Sequence, residues 1–255
     1  MNDELVVELD GSVLRVTFNR PQARNAMTFA MYEGLVAACE RADGDEGVRA
    51  VLLRGAGGQA FVAGTDIAQF AGFDGPRGVE YERTIDATIG RLLDVRVPVV
   101  AAIDGFCIGG GLAIAAAADV RVAHPSSRFG YPIARTLGNT LSAASYALTM
   151  RHFGHARTID MITTARLLDA ETAREAGFVS RLDEDVTACA EGVLEKILAH
   201  APLTMAAGKE ILRRLHRAAG RVDADDVVAE VYGSSDFAAG VAAFTSRSTA
   251  TWTGS

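Results

Sequence analysis

Three consecutive glycines, Gly109-Gly110-Gly111, stand between two apolar runs. The run before them, Val97 to Gly105, is short and rich in β-branched residues, which reads as a buried strand. The run after them, Leu112 to Ala118, is Ala-rich and free of breakers, which reads as a buried helix. Backbone N–H groups at a helix start have no intrahelical partner, and the helix dipole favours negative charge there. Glycines at that point clear side chains away, so an anion or a polarised carbonyl can approach. Taken alone, a triple glycine is first of all a tight turn with close helix–sheet packing. A second segment changes that balance. Phe61-Val62-Ala63-Gly64-Thr65-Asp66-Ile67 follows a strand-like run, Val48–Leu53, and a glycine-rich loop. Ala63 and Gly64 again leave room for a ligand to reach the backbone. Two bare N–H groups on separate strand ends are the chemistry of an oxyanion hole.

Other common chemistries have no support. There is no Gly-x-Ser-x-Gly elbow, no phosphate-binding P-loop and no His-Glu-x-x-His. No Gly-x-Gly-x-x-Gly follows a strand, so a dinucleotide site is not expected. The histidines at 124, 152, 155, 200 and 216 show no metal-ligand spacing, and no metal is expected. Cys39, Cys107 and Cys189 lie far apart, which fits a reduced compartment and no disulfide framework. A net charge of −7 argues against a nucleic-acid or anionic-membrane surface. The start, Met1-Asn2-Asp3-Glu4, has no apolar signal core, and no apolar stretch is long and unbroken enough to span a bilayer. The expected location is cytoplasmic.

Around the two glycine-bearing segments the chain alternates strand and helix. Leu5–Leu9 and Val13–Phe18 read as strands joined at Asp10-Gly11. Thr28 reads as the cap of a helix running to about Ala42. A long amphipathic helix is expected over Pro76–Asp94, and short strands near Val120–Ala123, Arg128–Phe129 and Val179–Leu182. Beyond about residue 185 the pattern is helical only. An α/β core over residues 1–195 and a helical region over 196–255 follow.

Five phrases, in order, resemble the enoyl-CoA hydratase/isomerase (crotonase) family. They are Asn19-Arg20-Pro21 with Arg24-Asn25-Ala26, then Phe61 to Ile67, then Pro98 to Gly111, then Thr164 to Val179, and last Ser234 to Phe244. Their order and spacing hold from about residue 5 to the end. The resemblance implies a crotonase-like spiral of ββα units that carries acyl-CoA. It implies C-terminal helices that trimerise, often as dimers of trimers, and no cofactor beyond the coenzyme A of the substrate. It places the thioester carbonyl between the N–H groups of Ala63 and Gly110. Arg24 and Ala26 would lie at the adenosine end of CoA, with Arg24 either a phosphate partner or a solvated loop residue. Ala63, Gly64, Thr65, Asp66 and Ile67 would also belong to the acyl-CoA-binding surface. Phe244 and Arg247 would approach CoA from the C-terminal helix, Phe244 alternatively being interface packing.

The chain departs from that family where hydratases carry two carboxylates for moving water and protons. Those positions are Ala113 and Ile133 here, and neither side chain can transfer a proton. The same stretch offers Tyr131, Arg135, Asn139, Thr140 and Ser142. Tyr131, Arg135, Asn139 and Ser142 are therefore pocket candidates, with helix capping or subunit packing as the alternative for each. An oxyanion hole without the carboxylate pair fits decarboxylation or isomerisation better than hydration. A catalytically silent acyl-CoA-binding homologue is the other reading.

Overall fold

The computed structural model describes residues 4–218 and 223–254. An antiparallel hairpin opens the chain, β1 (Leu5–Asp10) with β2 (Val13–Phe18), turning at Asp10-Gly11 as expected. The Thr28 hydroxyl caps α1 (Phe29–Gly44) by accepting from Met31 N–H. Then follow β3 (Ala50–Gly55), β4 (Ala60–Ala63), a 3-10 turn at Ile67–Phe70 and α2 (Gly75–Leu93). The next units are β5 (Val99–Ile103), β6 (Phe106–Ile108) and α3 (Gly110–Ala117), then β7 (Val120–Ala123) and β8 (Arg128–Gly130). After α4 (Ile133–Thr136) and α5 (Ala143–Thr164) come β9 (Leu168–Asp169), α6 (Ala170–Glu175) and β10 (Arg181–Leu182). Four helices follow: α7 (Val186–Ala199), α8 (Pro202–Ala218), α9 (Asp225–Tyr232) and α10 (Ser235–Ser246).

From β3 to β8, successive strands alternate between two sheets. Among the described residues one sheet runs β1-β2-β3-β5-β7-β10 and the other β4-β6-β8-β9. The pairs β3/β4, β5/β6 and β7/β8 each put one strand in each sheet and then hand over to helix. The long crossovers make neighbouring strands parallel. The result is the expected spiral of ββα units. The short strands β4 and β6 are additions to the sequence reading, which assigned no strand to Phe61–Ala63 or to Phe106–Ile108.

Three apolar clusters hold these layers together. The largest packs α1, α2 and α3 against both sheets, around fully buried Phe18, Phe61, Leu112 and Phe129. A second seats α7 on the outer face of the larger sheet through Val193 and Leu194 against Val100 and Val122. The third joins Val228, Tyr232 and Phe237 of the C-terminal helices to Phe70 and Leu137. That last cluster seats α9 against α2 and α10 against the 3-10 turn at Ile67–Phe70. No helix among the described residues is long and apolar enough to cross a membrane.

Candidate active site

Each glycine of the triplet has its own physical reason. Gly109 sits at φ 57° and ψ −128°, a conformation that glycine adopts at no steric cost. Its N–H donates to Gly130 O at 3.0 Å, and its C=O accepts from Leu112 and Ala113 N–H as the first turn of α3. A trans peptide directs C=O and N–H oppositely. The Gly110 N–H therefore points out of the helix start, away from the helix body. A side chain at Gly110 would overlap the Tyr32 hydroxyl, and one at Gly111 would overlap Val62. Gly110 thus lets the Tyr32 hydroxyl approach the helix start, while Gly111 lets α3 rest on β4.

The facing loop is set by the same geometry. Met27 N–H donates to Gly64 O at 2.9 Å, and Asp66 N–H donates to Met27 O at 2.8 Å. The Gly64–Thr65 peptide therefore turns the Thr65 N–H away from Met27. Gly64 lies directly against Gly109, where an added Cβ would meet Gly64 Cα at 3.1 Å. The Thr65 hydroxyl links the Tyr32 and Tyr81 hydroxyls, at 2.8 and 2.7 Å. Burial pushes the Tyr32 phenol up to about 12.

Ala63 does not keep the role expected from sequence. Its N–H donates to Arg24 O at 3.0 Å, so that donor is already taken. The cause is the loop before α1. Arg24 and Asn25 are both left-handed there, at φ 50° and 57°. Buried Asn25 accepts from Arg20 N–H and donates to Ala56 and Ala60 carbonyls. Arg20 clamps the Ala26 carbonyl at 2.7 Å and the Asp66 carboxylate at 2.9 Å. Ala26 and Asp66 are thereby parts of the scaffold. The Arg24 guanidinium lies 5.5 Å over the Phe106 ring, in a separate recess that Arg128 also lines.

The main cavity brings together Ala63, Gly64, Thr65, Ile67, Gly109 and Gly110. Its far wall is largely apolar, with Phe70, Ile85, Ile108, Ala113, Ile133, Leu137 and Leu141. Among the pocket candidates, Tyr131 and Asn139 line it. The Tyr131 hydroxyl accepts from Thr149 Oγ1 at 3.3 Å, and burial raises its pKa. Arg135 does not line it; one turn of α4 carries that side chain to the exposed surface. Ser142 is the N-cap of α5, accepting from Ser145 N–H at 3.0 Å, and also lies outside the wall. Phe244 lines the cavity although half exposed, whereas Arg247 ends α10 on the exposed surface.

One wall residue escaped the sequence reading. Glu82 projects from α2 into the cavity and is 4% exposed. Its Oε1 accepts from the Tyr232 hydroxyl at 2.7 Å, and its Oε2 accepts from Ser142 N–H at 2.9 Å. Asn139 Nδ2 donates to the same Tyr232 oxygen at 3.1 Å, while Asn139 Oδ1 is buried without a partner. Burial lifts the Glu82 carboxyl to about 7; the two hydrogen bonds oppose that lift and nearby Asp86 adds to it. The signal in the sequence was a charge inside an apolar helical stripe, Gly78, Glu82, Ile85, Ile89 and Leu92.

The enoyl-CoA hydratase/isomerase family model matches residues 8–255. This chain belongs to that family. A probable enoyl-CoA hydratase of Rhizobium meliloti (strain 1021) is 34% identical over 216 residues, covering 84% of this chain and 82% of that protein. A short-chain-enoyl-CoA hydratase of Clostridium acetobutylicum is 31% identical over 214 residues, covering 83% and 82%. A solved enoyl-CoA hydratase/carnithine racemase from Magnetospirillum magneticum superposes with a TM-score of 0.81 at 29% identity, covering 100% of this chain and 97% of that one. An enoyl-CoA hydratase/isomerase from Xanthobacter autotrophicus Py2 gives 0.85 at 27% identity, with 95% and 93% covered. The family fold and the ββα spiral derived from the strand order agree.

Proposed function

We propose that this chain is an acyl-CoA enzyme that stabilises a thioester enolate between the N–H groups of Gly110 and Thr65. The observation that carries this reading is the pair of peptide directions. Gly109 C=O is held by α3 and Gly64 C=O by Met27, so each following amide is turned outward at the cavity. Two such donors hold an oxyanion without a metal or further cofactor. Ala63 contributes a small side chain to the wall and fixes the loop through Arg24. The neighbouring recess of Arg24 and Arg128 suits the phosphates of coenzyme A.

The positions that resemble the hydratase carboxylates are Ala113 and Ile133, both buried on this wall. Neither gives water an acceptor or moves a proton, so enolate chemistry other than hydration is the reading. Decarboxylation and double-bond isomerisation both pass through that enolate. The 196–255 region is assigned to assembly as a homotrimer or dimer of trimers. Leu203, Ile211, Leu212 and Leu215 are all more than half exposed on α8, which supports burial between subunits.

Calorimetry with acetyl-CoA and butyryl-CoA against the free acids tests the reading. Thioester binding with far weaker acid binding is expected. No heat at millimolar thioester would refute it, and binding without turnover across a panel of acyl-CoAs would favour a silent binding homologue.

A further inference from the structure

Resting on the acyl-CoA reading above, we infer that Glu82 is the proton carrier of this enzyme and that its reaction is the isomerisation of β,γ-unsaturated acyl-CoA thioesters to their α,β-unsaturated forms. Three observations place a working carboxylate there. Glu82 lines the cavity that holds Gly110 and Thr65. Its two oxygens are fixed in orientation by Tyr232 and by the Ser142 amide. Asn139 Nδ2 occupies the Tyr232 lone pair, which commits the Tyr232 proton to Glu82. A buried carboxyl in an apolar wall also titrates near neutrality, where a group can both take and return a proton.

The reaction closes with no other reactant. The Glu82 carboxylate removes a proton from Cα of a 3-enoyl thioester. The C–H electron pair passes into the conjugated system, and the charge collects on the thioester oxygen between the two amides. The Glu82 carboxyl then returns that proton to Cγ, and the double bond settles between Cα and Cβ. Decarboxylation fits this cavity less well, because a substrate carboxylate would face the Glu82 carboxylate. Hydration fits less well because the Ala113 and Ile133 side chains on this wall offer water no hydrogen-bond acceptor.

The groups facing Glu82 are compatible with one titration near neutrality. Asp86, on the same helix, accepts from Ser142 Oγ at 2.5 Å. The phenols of Tyr232, Tyr81, Tyr32 and Tyr131 are all raised by burial and stay neutral.

The test follows 3-butenoyl-CoA conversion to crotonyl-CoA, and deuterium wash-in at C2 of butyryl-CoA, with butyryl-CoA affinity measured on the same samples. In the wild-type chain both reactions should rise with pH through an apparent pKa near 7. Glu82→Gln keeps the volume and one acceptor. It should bind butyryl-CoA within a few-fold yet lose both reactions by about a hundredfold or more. Tyr232→Phe removes a hydrogen bond that favours the ionised carboxylate, so its pH limb should move to higher pH. Glu82→Gln with wild-type rates overturns the inference, and so does an unmoved limb in Tyr232→Phe, which decides the matter if Glu82→Gln does not fold. A wild-type chain that binds butyryl-CoA but neither isomerises nor exchanges overturns the Glu82 assignment alone. A wild-type chain that binds no thioester overturns the acyl-CoA reading beneath it.

Discussion

The Tyr232 hydroxyl donates to Glu82 Oε1 at 2.7 Å, joining α9 to α2 across 150 residues of chain. Glu82 is held at about 7 in the folded protein against an ordinary value of 4.5. Between those values the folded state keeps a proton that the unfolded state has released. The stabilisation is therefore complete below about pH 4.5 and is lost as pH rises through about 7. A shift of that size corresponds to about 3 kcal/mol. Urea titrations at pH 5 and pH 8 should show the wild type losing stability relative to Glu82→Gln over that interval. A constant difference would contradict the buried, raised carboxyl.

Gly110 and Tyr32 are coupled by space. A methyl at Gly110 would overlap the Tyr32 hydroxyl, while the next atoms, Thr65 Oγ1 and Tyr32 Cζ, would stand at 3.5 and 3.6 Å. Gly110→Ala should therefore destabilise the fold by about 1–3 kcal/mol, and Gly110→Ala with Tyr32→Phe should recover much of that loss. A double-mutant cycle with no coupling in stability would show that the two residues do not meet. Gly110→Val is harsher on the fold than its sequence position suggests, for the same reason.

Crotonyl-CoA hydration should be slow. Loss of one positioned acid–base group costs about a hundred- to ten-thousandfold, and Ala113 and Ile133 replace two. Disappearance of the enoyl-thioester absorbance, measured beside the Clostridium acetobutylicum relative, reports this directly. Comparable rates would mean that another group on the cavity wall activates water.

The apolar stripe on α8 should be an assembly surface. Ile211→Asp with Leu215→Asp places two charges where exposed apolar side chains now stand. Light scattering should find a trimer or hexamer for the wild type and a smaller species for the double variant. A wild-type monomer at micromolar concentration would remove the assembly role of residues 196–255.

The sequence was most legible where the backbone carries the chemistry. Gly109–Gly111, the Asp10-Gly11 turn and the Thr28 cap are local signals, and each lies where its residue types require. The Asn19–Met27 phrase was recognisable, yet its physical task is scaffolding: Arg20 and Asn25 tie the loop to Asp66, Ala56 and Ala60. The Ala63 amide was not recognisable as already bonded, because the direction of an amide depends on distant partners; the donor proposed beside Gly110 is Thr65, two residues on. Arg24 O takes the Ala63 amide and Met27 turns the Thr65 amide free. Short strands β4 and β6 gave no alternation to read, being only four and three residues long. Glu82 was hidden inside a helix whose amphipathic period was clear, because a charge on its buried face runs against that period. Arg135 and Ser142 drew notice by chemical type, and their fates, exposure and helix capping, were set by the turn of α4 and the start of α5.

A crystal structure with bound butyryl-CoA tests the proposed enolate-binding pair, Gly110 and Thr65, most directly. The thioester oxygen should lie about 2.7–3.1 Å from both Gly110 N and Thr65 N, with the Ala63 amide still on Arg24 O and the acyl Cα on the side of Glu82. A thioester oxygen held elsewhere, or held by Ala63 after Arg24 has withdrawn, would contradict it.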